Sequence, residues 1–167
     1  MNLLFNIAAI VAVISTVMVI TRTIAVHALL YLIVSLLAIA VVFTTLGAPF
    51  AAALEVIIYA GAIMILFVFV IMMLNIDKRD ADRESAWLSP RAWAGPAVLA
   101  AALGAELIYS GAMDRLPGAA SIVIGPKQVG LALFGPYLLA VELASLLLLA
   151  GLISAFHLGR DINERGS

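Results

Sequence analysis

Long apolar stretches separated by short polar segments dominate the chain. Five can be distinguished, and four of them have the roughly 20 residues that a helix needs to cross the hydrocarbon core of a bilayer. The fourth is marginal at about 17 residues. In lipid the backbone must form its hydrogen bonds within each segment, which favours helices. The predicted helices cover residues 3–20, 28–46, 51–74, 93–109 and 131–156.

Basic residues fall mostly on one side of the predicted bundle. Two of them, Arg115 and Lys127, share a side with the N-terminus, and seven lie on the other. Because cytoplasmic segments carry an excess of Lys and Arg, the N-terminus is predicted outside and the C-terminus in the cytoplasm. The fold class is an all-α integral membrane protein with five transmembrane helices. It forms one membrane domain, 1–167, with a cytoplasmic loop at 75–92 and a periplasmic loop at 110–130. The seven basic residues are Arg22, Lys78, Arg79, Arg83, Arg91, Arg160 and Arg165.

Composition supports this class and narrows the chemistry. The chain of 167 residues is 65% hydrophobic and 11% charged, whereas a soluble domain is about half apolar and about a quarter charged. It has no cysteine, which excludes disulfides, thiolate metal sites and cysteine catalysis. A net charge of −1 without a basic tract gives no indication of a nucleic-acid partner. We find no nucleophile–base pair or phosphate loop, so the chain is not expected to be catalytic alone.

Three glutamates fall inside or near the predicted spans: Glu55, Glu106 and Glu142. A charge at bilayer depth costs about 2.5–3.5 kcal/mol on insertion scales, so each should face protein or water rather than lipid. Glu106 is close to a helix end and is expected to reach the interface. For Glu55 and Glu142 two interpretations stay open. Each could line a proton or water path, or could be hydrogen-bonded across a helix interface to fix packing.

The third stretch, 51–74, combines its acid with a tyrosine and a glycine. Tyr59 follows Glu55 by four residues, so α-helical spacing places both on one side. Gly61 lies near the middle, where glycine costs about 1 kcal/mol relative to alanine. The residues alone favour close helix packing as its explanation. A locally adjustable backbone, such as a π-bulge, is the alternative.

Two blocks of the sequence resemble a known family. They are VHALLYLIVSLLAIAVVFTTLGAPFAAALEVIIYAGAIMILFVFVIMMLN at Val26–Asn75 and LFGPYLLAVELASLLLLAGLISAFHLGR at Leu133–Arg160. Both look like subunit J of bacterial NADH:quinone oxidoreductase, respiratory complex I, the equivalent of the sixth mitochondrially encoded NADH dehydrogenase subunit. The resemblance implies a multi-pass subunit of the bacterial inner membrane, in a hetero-oligomer with subunits H, K, A and N. It implies no cofactor on this chain, since NADH, FMN, Fe–S clusters and quinone bind elsewhere in that complex.

The same resemblance implies a role for the third helix as a gate. In that family this helix is bulged near its Tyr-Ala-Gly segment and can convert to regular α-helix, which couples quinone reduction to proton translocation. The gating and proton-path residues would be Glu55, Tyr59, Gly61, Ala62, Met64, Phe67 and Glu142. Three alternatives stay open: a subunit of a cation/proton antiporter or membrane-bound hydrogenase, a purely structural joint between pumping modules, and an independent small transporter.

Overall fold

The computed structural model describes residues 3–73, 90–112 and 123–164. Within these ranges the chain is helical and contains no strand, which confirms the prediction of an all-α fold. The helices are α1 (Leu3–Thr21), α2 (Ala25–Thr45), α3 (Pro49–Leu54), a π-helical segment (Glu55–Ile63), α4 (Met64–Met73), α5 (Pro90–Ala112), α6 (Pro126–Leu133) and α7 (Leu138–Glu164).

Four helical stretches in the described ranges are long and apolar enough to cross a membrane: Leu3–Thr21, Ala25–Thr45, Pro49–Met73 and Leu138–Gly159. We call Pro49–Met73, which contains α3, the π segment and α4, the third span. Helix α5 is longer than the sequence predicted, but its apolar part is only Trp93–Tyr109. The fourth predicted helix therefore exists, and its apolar part is the shortest.

Helix α2 lies at the centre of the first of two compact units, residues 1–124. It packs against α1, against all three parts of the third span and against α5. Ala8 of α1 and Ala38 of α2 are completely buried, and such small side chains let helices approach closely. The core residues on each helix repeat at intervals of three and four, which keeps them on one face. They are Leu4, Ala8, Val11, Val34, Ala38, Val41 and Leu103.

A hydroxyl pair adds a polar contact between α1 and α2. The Thr16 and Ser35 hydroxyl oxygens are 2.8 Å apart, and the Thr16 hydroxyl also lies 2.8 Å from the Ala12 carbonyl oxygen. The Ser35 side chain is buried. Interhelical hydrogen bonds of this kind contribute about 0.6 kcal/mol on average in membrane proteins. This pair therefore fixes the pairing of the two helices more than it strengthens it.

The turn between α2 and the third span depends on one glycine. Gly47 has φ 79°, in the left-handed region that suits a residue without a side chain. Its N–H donates to the Thr44 carbonyl, and its own carbonyl accepts the Ile124 N–H at 2.9 Å. Pro49 follows at the first turn of α3, where a missing N–H removes no helical bond. This turn reverses the direction of the chain, so that the third span runs back along α2.

The second compact unit, residues 125–167, differs from the sequence-based prediction in two ways. Helix α6 begins within residues 126–130, where a loop was predicted, because Pro126 starts a helix well and the Gln128 side chain accepts the Gly125 N–H at 3.0 Å. The predicted helix 131–156 is interrupted by a turn at 134–137. Pro136 has no N–H and disfavours the α conformation of the residue before it. Helix α7 starts only after this turn, and none of its described side chains is buried.

Candidate functional site

The third span changes its hydrogen-bonding pattern in the middle. At its start the Glu55 N–H donates to the Ala51 carbonyl, four residues back, as in an α-helix. At the end of the π segment the Met64 N–H has two carbonyl acceptors, that of Tyr59, five residues back, and that of Gly61, three residues back. Most π-helical stretches are single turns, often at functional sites, whereas this one covers nine residues. The third span therefore carries an extended local change of register near its middle.

Among the described residues, Gly61 approaches the backbone of its own segment and no other helix. A Cβ added there would lie 3.2 Å from the Val56 carbonyl oxygen, five residues back. No other described atom outside its local backbone comes within 4 Å of that position. The residues alone favoured close packing against another helix; the described residues show no such contact, and packing against another chain stays a prediction. The alternative, an adjustable backbone, agrees with the π geometry.

The polar side chains of the π segment face away from the interior of the chain. The Tyr59 side chain is half exposed, and Glu55 is partly exposed. Neither the Tyr59 hydroxyl nor the Glu55 carboxyl has a hydrogen bond to the described residues. Their spacing of four residues was interpreted with α-helical geometry, which does not hold inside a π segment. Because polar groups within a membrane span avoid lipid, we expect both side chains to face water or another protein chain.

Three further predicted residues lie on either side of the end of the π segment. Ala62 is exposed within it, and Met64, the first residue of α4, is 2% exposed. Helix α4 packs on α2, and Met64 is the only buried residue of α4. Phe67 lies less than one turn further on, and its side chain is 49% exposed. Six of the seven predicted residues thus lie in the third span. Met64 is buried, whereas the side chains or backbone of the other five are partly or largely exposed.

A groove borders the start of the π segment. It lies between α2, the third span and α5, and its volume is about 510 Å³. Thr44 is the only polar side chain in the lining of this groove. The Thr44 hydroxyl donates to the Ala40 carbonyl at 3.0 Å, so the lining has few hydrogen-bonding groups for water. Val56 and Ala53 face this space. The upstream end of the π segment is therefore loosely packed on one side.

Two glutamates lie outside the π segment. Glu106 was expected to reach the interface, but both of its carboxylate oxygens are buried and lack a hydrogen-bond partner among the described residues. It follows the core residue Leu103 by three positions, which turns it toward the bundle. Glu142, the seventh predicted residue, is exposed on α7 in the second unit.

Across the described ranges, no three His, Asp or Glu side chains could together hold a metal ion.

These features define a small multi-pass helical membrane protein whose described polar groups do not form a catalytic constellation of their own. Comparison with known proteins then gives the family. Residues 15–158 match the model of NADH-ubiquinone/plastoquinone oxidoreductase chain 6. The chain belongs to this family.

Named relatives agree with this family over nearly the whole chain. The chain is 55% identical to NADH-quinone oxidoreductase subunit J of Escherichia coli (strain K12) over 163 residues, covering 96% of this chain and 88% of the relative. It is also 55% identical to the subunit J of Pseudomonas aeruginosa over 164 residues, covering 96% and 98%. A relative from Buchnera aphidicola subsp. Schizaphis graminum is 48% identical over 161 residues, covering 96% and 99%. The resemblance inferred from sequence is confirmed.

Alanine at position 61 should shorten the π segment. The added Cβ would be 3.2 Å from the Val56 carbonyl, so that carbonyl must move by a few tenths of an ångström. This contact arises from the π geometry and favours regular α-helix. In the structure of a Gly61→Ala variant of the assembled complex, we expect the Met64 N–H to move from the Tyr59 to the Ala60 carbonyl. Gly151→Ala on α7 is the matched control, since a Cβ there meets nothing within 4 Å and the residue lies outside the groove beside the π segment. An unchanged π segment in Gly61→Ala would contradict the prediction.

Proposed function

We propose that this chain is a membrane-arm subunit of a proton-pumping NADH:quinone oxidoreductase and that its third span acts as a conformational gate. In this proposal the π segment and a regular α-helix are the two states of the gate. Quinone reduction in another subunit selects between them, and the change makes or breaks a water path for protons. The observation that carries the proposal is the nine-residue π segment from Glu55 to Ile63.

A change between the two helical forms provides the motion. Each shift of one residue in the hydrogen-bonding register turns the following helix by about 100°. Helix α4 follows the π segment directly, so it would rotate as a unit. Such a rotation carries Met64 out of its buried position against α2 and moves Phe67 through a similar angle. Bulky side chains would then enter or leave the region that Glu55 and Tyr59 face.

The surroundings of the π segment support such a motion. One side borders the groove of about 510 Å³, so Val56 can move without displacing a packed core. The buried cluster between α1, α2 and α5 contains no residue of the third span, whose own buried residues are Ala52 and Met64. Rotation of α4 would therefore leave the main packing of the unit in place.

The polar residues have distinct proposed roles. Glu55 lines the path and tunes it without being an obligatory proton carrier, while Tyr59 moves with the backbone. Glu142 on α7 supplies a second intramembrane carboxyl. Carboxyls on neighbouring subunits would complete the path, and we propose subunits H, K, A and N as these neighbours. The NADH, FMN, Fe–S and quinone chemistry belongs to other subunits, and the whole complex lies in the bacterial inner membrane.

Valine at position 61 should separate gating from assembly. A β-branched side chain is stiff and adds atoms beyond the Cβ that already approaches the Val56 carbonyl. We expect Gly61→Val to assemble to near wild-type amounts, with quinone-coupled proton pumping reduced several-fold. The measurement combines the amount of assembled complex in membranes with proton uptake into inverted vesicles during NADH oxidation.

A matched substitution and two contrary outcomes complete this test. Gly151→Val on α7, in the middle of another apolar helix and outside the groove beside the π segment, places the same side chain where a Cβ meets nothing within 4 Å and should leave pumping unchanged. Loss of assembled complex in Gly61→Val would favour a packing role for the glycine. Normal pumping in Gly61→Val, Glu55→Gln and Tyr59→Phe together would favour a structural joint.

The proposed topology has five spans with the N-terminus outside. Because the sequence has no cysteine, a single introduced cysteine is a unique label site. We expect Ala119→Cys in intact spheroplasts to react with a membrane-impermeant maleimide. Ser85→Cys should react only after the membrane is opened. Of the helices described, only α5 lies between these two positions. Equal labelling of both from outside would therefore contradict a membrane crossing by α5 and, with it, the count of five spans.

A further inference from the structure

A second groove lies at the opposite end of α5 from Glu106, and nothing in the gating proposal uses it. It has a volume of about 420 Å³ and opens to the outside of the chain between α1, α2 and α5. Apart from the hydroxyl of Tyr31 its lining is apolar. The lining residues are Ile14, Met18, Tyr31, Ala94, Gly95, Val98 and Leu99.

Tyr31 forms the floor of this groove. Its side chain is 5% exposed and reaches from α2 to the backbone of α5 at Gly95. A Cβ at Gly95 would overlap the Tyr31 hydroxyl, so glycine is required for this approach. The floor is thus built from two helices and keeps a fixed shape.

A cation lies at the mouth of the groove. The Arg22 guanidinium carbon is 5.3 Å from the centre of the Tyr31 ring, close enough for a cation–π interaction. Its Nη2 donates to the Tyr31 hydroxyl at 3.5 Å and to Met18 Sδ at 3.6 Å. Both bonds use the same nitrogen, so the Nε and Nη1 donors have no partner among the described residues. Arg22 is exposed and has no ion pair within the part of the chain that the structure describes.

The dimensions of the groove match one leaflet of a bilayer. Arg22 follows directly after α1, and Ile14 lies eight residues before it, or about 12 Å at the rise of an α-helix. Half of a hydrocarbon core is about 15 Å thick. A molecule whose anionic group contacts Arg22 therefore has an apolar groove beneath it that extends nearly to the middle of the membrane.

We propose that this groove binds an anionic phospholipid, with its phosphate on the Arg22 guanidinium and one acyl chain along Met18, Tyr31 and Val98. Arginine presents donors in a fork that matches phosphate oxygens, and basic pockets between transmembrane helices are typical anionic-lipid sites. An ion or soluble metabolite would leave the apolar groove unfilled. A hydrophobic partner helix would leave the Arg22 charge without a counter-ion. The proposal needs the chain to span the membrane but does not depend on the gate.

The test uses the assembled complex in phosphatidylethanolamine vesicles that contain phosphatidylglycerol with a photoactivatable diazirine on one acyl chain. After irradiation, labelled peptides are mapped by mass spectrometry. We expect labelling of the peptide segments that contain Met18 and Val98. Arg22→Gln should lower it about fivefold, the effect of one interfacial cation on an anionic lipid. Arg22→Lys, which keeps the charge but loses the fork, should give an intermediate level.

A second pair of variants tests the acyl-chain position without touching the cation. Val98→Trp fills the groove from an exposed position on α5 and should abolish labelling near Met18. Ile108→Trp, equally exposed on α5 but outside the groove, should have no effect. The proposal is overturned by unchanged labelling in Arg22→Gln, by equal labelling from diazirine-bearing phosphatidylethanolamine, or by absence of label because another subunit covers the groove.

Discussion

The backbone of a membrane span cannot give up its hydrogen bonds, because hydrocarbon offers no replacement and each unpaired group costs several kcal/mol. A spanning helix can therefore change shape at low cost only by exchanging one carbonyl acceptor for the next. The π segment does this within one span, since its N–H groups reach carbonyls five residues back between helical parts of ordinary register. Every function proposed for the third span follows from this constraint, including the rotation of α4 and the place of Gly61.

The packing of the rest of the first unit is compatible with the proposed exchange in the third span alone. Helix α2 is held by α1 and α5 through a core of small and branched side chains and through the Thr16–Ser35 pair. The third span uses the remaining side of α2, with Met64 as the buried residue of its downstream part. Its upstream part borders the groove instead of a packed core. The first unit thus combines a closely packed core with a third span whose upstream part is less closely packed.

Sequence reasoning located the spans because their apolar length is set by the bilayer, and it identified the family from the blocks around Tyr59 and α7. It could not decide between α and π geometry, because both bury the same apolar side chains and differ only in the backbone acceptor. Gly61 permits either geometry. The break at 134–137 was signalled by Gly135 and Pro136 but was outweighed by the apolar run around it. The burial of Glu106 depends on how far α5 is turned toward its neighbours, which a single sequence does not encode locally.

The central claim is that the acceptor of the Met64 N–H changes during turnover. Structures of the wild-type complex at rest and trapped during NADH oxidation with quinone test this directly, if the third span is resolved well enough to assign its hydrogen bonds. The account predicts the Tyr59 carbonyl as acceptor in one state, as found here, and the Ala60 carbonyl in the other, with α4 rotated between them. A π segment of the same length and register in both states would contradict it.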